Sequence, residues 1–123
     1  MLARILAALP GLAMGFNAVG WLFNPAQTAE SLGMPLLDGI GRSTQVGDFT
    51  SFFFACAVLS LWAAIKLNAS AAYAAALILG GAAVFRTTAW LMHGADLASL
   101  FIGVEVVLTL MLLVSAHLMK RNS

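Results

Sequence analysis

The chain has 123 residues, of which 62% are hydrophobic and 9% charged, with a formal net charge of +1 and a mean hydropathy of +0.97. A soluble domain is about 25% charged, so this sequence lacks the polar side chains to clothe a globule in water, and it reads as one all-α integral membrane domain over residues 1–123. Nucleic acid is excluded as a partner because no basic run exceeds Lys120-Arg121. The lone Cys56 excludes an internal disulfide or a CxxC site, and no phosphate loop, nucleophile elbow or HExxH pair occurs.

A helix crossing the hydrocarbon core needs about 20 mainly apolar residues. Four segments qualify, at about 2–23, 44–67, 70–92 and 96–118, and they predict a transmembrane four-helix bundle. The first contains Pro10, which membrane helices tolerate. Met1–Ala18 also has the basic residue, apolar run and small residues of a cleavable signal peptide; we read it as a retained span. Asn24-Pro25 closes that span and opens a short helix over about 25–32, with Pro25 at its first position and Gln27 placed to complete a capping box. This segment is expected either to lie in the interface across the outer mouth of the bundle or to serve as a plain connector. Gly33 suits its C-terminal stop, and Pro35, Asp38-Gly39 and Gly41 mark irregular chain in an outer loop over 24–43.

Lys66 to Ser70 forms a tight turn, Gly94 ends the third span, and Asp96 is placed to cap the fourth. Trp21, Trp62, Tyr73 and Trp90 fall near span ends, as aromatic belts do. Arg4, Lys66, Lys120 and Arg121 share one side with both termini, against Arg42 alone on the other. That bias predicts that both termini lie in the cytoplasm.

Three charged residues lie inside spans: Asp48, Arg86 and Glu105. Each costs about 2.5–3.5 kcal/mol at mid-span on insertion scales and so needs a partner, water or a role. At a rise of about 1.5 Å per residue, Asp48 comes out roughly 6 Å from its outer helix end, Arg86 and Asn17 roughly 9 Å, and Glu105 roughly 13 Å. One polar group from each span therefore converges on the outer half of the membrane. Helical spacing adds Gln45 and Phe52 to the Asp48 stripe, Trp90 and His93 to that of Arg86, and Phe101 and Thr109 to that of Glu105. An arginine between two carboxylates can donate to both. One negative charge is then left, to be balanced by Arg42 at the mouth or by protonation of a carboxylate. The candidate cluster is Asn17, Gln45, Asp48, Arg86, Trp90, His93 and Glu105. The plainer reading is a structural pin that fixes helix register.

His93 and His117 stand at opposite ends of their spans, about 32 Å apart along the helix axis, so one haem cannot take both. His93 reads as an interfacial residue beside the cluster, with a single-His haem that keeps an open site as the lesser reading. Gly11 and Gly15, Gly80-Gly81, and Ser99 and Gly103 offer small-residue faces for packing within the bundle or for self-association.

The order Asn24-Pro25, Leu32-Gly33, a second span containing Gly47, Gly80 and Arg86 on the third and Glu105 on the fourth resembles a family of small four-span bacterial membrane proteins, which are in turn similar to the DoxX-like group. The resemblance implies a four-helix inner-membrane fold with Arg86 and Glu105 as the matching polar pair. It also implies a link to quinones, because DoxX-type proteins are associated with quinone-linked sulfur oxidation. Asp48 and His93 lie outside the pattern.

Four functions fit these residues. The first is a binding protein, oligomeric by expectation, that holds a lipid-like or quinone-like molecule against the cluster, with Phe49, Phe52, Phe53, Phe54, Phe85, Trp90 and Phe101 as apolar walls. The second is an accessory or assembly subunit of a larger membrane complex. The third is a proton or ion transporter using Glu105. An intramembrane isomerase, with Glu105 or Asp48 as acid/base, ranks last because no nucleophile or metal set accompanies it.

Overall fold

A computed structural model describes residues 1–121; Asn122 and Ser123, the end of the domain assigned to 1–123, lie outside the described residues. Its helices are α1 (Leu2–Phe23), α2 (Pro25–Ser31), α3 (Gly39–Lys66), α4 (Ala69–Met92) and α5 (Ser99–Arg121), with no strand among the described residues. Four of them are long and apolar enough to cross a membrane. The chain is a multi-pass membrane protein, all-α, with a short helix between its first two spans.

Two span starts differ from the sequence reading, and the fourth span runs on to Arg121 rather than about 118. The second span starts at Gly39 rather than about 44, so Gly39 and Gly41 are helical and the first connection ends at Asp38. Arg42 holds that extra turn: its Nη2 donates to Asp38 Oδ1 at 3.0 Å and its Nε donates to Leu37 O at 2.8 Å. Both bonds satisfy groups that a plain glycine count cannot see. The fourth span starts at Ser99, three residues after Asp96, so Asp96 caps nothing and stands in irregular chain.

The short helix ends as expected. Gly33 takes φ +83°, Met34 N–H donates to Ala29 O and Gly33 N–H to Glu30 O, which is the double bond pattern of a Schellman stop. Its start is not a capping box, since Asn24 makes no side-chain cap. Instead Thr28 Oγ1 donates to Asn24 O at 2.8 Å. A Cβ on Gly20 would lie 2.6 Å from Thr28 Oγ1, so the glycine lets α2 fold back against α1.

Around the bundle the neighbours run α1, α3, α4, α5 and back to α1. The pairs α1–α3 and α4–α5 lie along each other, whereas the α1–α5 and α3–α4 seams are narrower contacts. Small residues explain the close pairs. Gly11 faces Leu61 and Gly15 faces Ala57, so this GxxxG works inside the bundle, and Gly80 faces Thr109.

The core sits toward the end of the bundle that holds the termini. There Ala7, Ala63, Ala72, Ala75, Leu112 and Ala116 are buried and let the helices close. Arg4 Nη1 reaches across to the carbonyls of Ala64 and Ile65 at 2.8 and 2.9 Å, satisfying orphan acceptors at the end of α3. Ser115 Oγ donates to Ala3 O at 2.6 Å and ties α5 to α1. Toward the other end α1, α2 and α3 still bury Ala18, Trp21, Ala29, Gln45 and Phe53, whereas α4 and α5 bury little. No residue of α4 beyond Ala83, and none of α5 before Glu105, is buried.

The glycine contacts predict opposite outcomes at two positions. A Cβ on Gly11 would meet Leu61 at 2.8 Å, so Gly11→Val should cost about 1–3 kcal/mol of stability as an overpacked site. Gly103 has nothing within reach, so Gly103→Ala should stay within about 0.5 kcal/mol of wild type. Unfolding in mixed micelles checks both; equal stability of the two variants would contradict the packing described.

Candidate functional site

The open end holds the intramembrane charges. Arg86 lies six residues before the end of α4 and Glu105 six residues after the start of α5, so both sit about 9 Å inside their helices. That equal depth corrects the expectation that Glu105 is the deepest, and it follows from the later start of α5. Contact of Gly80 with Thr109 brings the two antiparallel helices close enough for the side chains to meet. Arg86 Nε stands 3.0 Å from Glu105 Oε1. Its N–H is not aligned on that oxygen, so the contact is a charge pair and the buried Oε1 accepts no directed hydrogen bond.

Phe101, one turn before Glu105, lies under the guanidinium with 5.0 Å from Cζ to its ring centroid. The stripe Phe101–Glu105 thus grips Arg86 by its face and by its edge. Glu105 is only 9% exposed.

Two cavities meet at this pair. The smaller, about 280 Å³, opens along the α1–α5 seam, where Met14, Asn17, Leu100 and Val104 line it. The larger, about 620 Å³, lies along the α3–α4 seam between Asp48, Phe49 and Phe52 on one side and Phe85 and Ala89 on the other. Leu32, Phe52, Phe53, Arg86 and Glu105 belong to both. Leu100 and Phe85 are largely exposed on the apolar surface, so the walls reach the lipid-facing side of the bundle. The physical cause is the change from alanine to phenylalanine along the helices, which keeps the two narrow seams from closing.

The sequence-selected residues divide into groups. Arg86 and Glu105 are brought together, and Asp48 and Asn17 line one cavity each. Asp48 is exposed, with no ion pair to Arg86. Arg42 does not balance it, being paired with Asp38. Asn17 donates to Ala13 O on its own helix at 3.0 Å.

Gln45 is buried and serves the connection before α3: its Oε1 accepts from Leu37 N–H at 2.7 Å and its Nε2 donates to Pro35 O at 3.1 Å. Trp90 and His93 are exposed and line neither cavity. Trp21, expected in an aromatic belt, is instead fully buried and stacked on Phe49 at 5.0 Å. Sequence reasoning did not reach Ser31 and Leu32, which roof the smaller cavity from the end of α2. Only the fold-back of α2 puts them there.

Among the described residues no three His, Cys, Asp or Glu side chains gather closely enough to hold a metal ion, and Cys56 is buried in the core. Comparison with known protein families, curated proteins and solved structures finds no match to this chain.

The pair sets a testable asymmetry. Arg86→Leu leaves Glu105 buried without a cation, and we expect a loss of about 1–3 kcal/mol, below the figure for a fully enclosed pair because the Arg86 side chain is 34% exposed. Arg86→Leu combined with Glu105→Leu removes both charges and should recover much of that loss. A double-mutant cycle by thermal unfolding in one detergent measures this; strictly additive losses would show that the two groups do not interact.

Proposed function

We propose that this protein binds a lipid-like or quinone-like amphipathic molecule in the membrane, with the polar head against Arg86 and Glu105 and the apolar part along a helix seam. One observation carries the reading: an intramembrane charge pair lies between two apolar-walled cavities whose walls reach the lipid-facing surface. Structural pinning alone calls for close packing around the pair. Small-molecule sites are mostly apolar with a few placed polar groups, in cavities of about 300–1,000 Å³. The quinone alternative draws on the resemblance to the DoxX-like group.

A second reading has its own support. Asp48 is exposed inside a span without a partner, which favours a neighbouring subunit, another copy or a different membrane protein, that supplies a donor. The basic residues at the end holding the termini, Arg4, Lys66, Lys120 and Arg121, favour that end in the cytoplasm, and the resemblance to the DoxX-like group favours the bacterial inner membrane.

Extraction of the full chain in native lipid, followed by mass spectrometry of bound small molecules, tests the main reading. The expected result is a recurrent amphipathic molecule near one per chain in wild type and strongly depleted in Glu105→Gln, which keeps the shape of the side chain. An equal load in both proteins would contradict it. For orientation, reporter fusions after Ser123 and within 34–38 should report cytoplasmic and external locations respectively; a cytoplasmic signal from the second would reverse the assignment.

A further inference from the structure

The larger cavity has a chemical bias. Two carboxylates, Asp48 and Glu105, line it against one guanidinium. The charge of Arg86 is already met by Glu105 and its face by Phe101, while Arg42 is held by Asp38. One negative charge is therefore left on the cavity wall at Asp48. Glu105 lies on the same wall, its Oε1 held 3.0 Å from Arg86 Nε. Facing these acceptors are the rings of Phe49, Phe52 and Phe85.

An anionic head would have to share Arg86 with Glu105 beside a second carboxylate. A bare metal ion would find phenyl rings where it needs oxygen ligands. Aromatic rings and Asp48, a carboxylate with no ion pair, together suit an organic cation, which ring faces attract through their quadrupole and a carboxylate attracts by charge.

We propose that the α3–α4 cavity takes a lipophilic organic cation, with Asp48 as its counter-ion and the phenylalanine rings as its walls. The inference rests on reading the cluster as a small-molecule site and narrows that reading to one ligand class. Entry is lateral, past the exposed ring of Phe85, because a lipophilic cation already partitions into the bilayer.

The test uses the full chain in phosphatidylcholine nanodiscs with two probes, tritiated tetraphenylphosphonium and neutral decylubiquinone. Wild type should bind tetraphenylphosphonium saturably, and Asp48→Asn should weaken it at least tenfold. Asp48→Glu should keep most of the binding, and Asp38→Asn, which removes a carboxylate outside the cavity, should leave it unchanged. Thermal unfolding of each variant confirms that the bundle is intact. Undiminished binding in a folded Asp48→Asn protein would overturn the assignment of the counter-ion. Saturable binding of decylubiquinone without tetraphenylphosphonium would overturn the cation proposal and leave the small-molecule reading standing. Binding of neither probe, with no molecule co-purifying from native lipid, would overturn both.

Discussion

A charge inside a bilayer must be compensated, and in this bundle that requirement meets at Arg86 and Glu105. The rest of the open end is arranged around the pair. Gly80 against Thr109 closes α4 on α5 just far enough for the 3.0 Å contact, and Phe101 fixes the guanidinium from below. On the side of the termini the helices meet through alanine and glycine. The molecule thus combines a dry, closely packed half with a looser half that carries its polar chemistry.

That division has a thermodynamic logic. Helix association in lipid depends on packing, since lipid tails are as apolar as leucine. The alanine-lined half, with the Ser115–Ala3 and Arg4–Ala64 links, supplies the contacts that hold the fold. The phenylalanine-lined half gives up contact, and such a sacrifice is common where a protein needs room for a ligand. Gln45 shows how the two needs are kept apart: it anchors the connection before α3 through backbone groups, so the roof over the cavities is held without engaging the charged pair.

Much of this was legible in the residues. Hydropathy located four spans, and counting along each helix brought Arg86 and Glu105 to the same half of the membrane, because the axial rise is nearly constant. Depth is only one coordinate, however. Which way a side chain faces around its helix depends on how neighbours pack, and that separated Asp48, exposed on a cavity wall, from Gln45, buried three residues earlier. Helix starts set by tertiary bonds were equally hidden. Arg42 closing on Asp38 lengthened α3, and the irregular stretch after Gly94 moved the start of α5 past Asp96. Trp21 lies at a span end, where an interfacial position is ordinary, and only the neighbouring Phe49 and α2 explain its burial.

The central claim is that Arg86 and Glu105 form an ion pair within the membrane. Among the described residues no other arginine is paired with a glutamate, so the contact can be read without further editing of the chain. Protein carrying 15N in its arginines and 13C in its glutamates, reconstituted in lipid bilayers, would be measured by magic-angle-spinning dipolar recoupling. The account predicts a guanidinium-to-carboxylate coupling that corresponds to the 3.0 Å contact and disappears in Arg86→Leu. A bilayer sample with no such coupling, in protein shown to be folded, would contradict it.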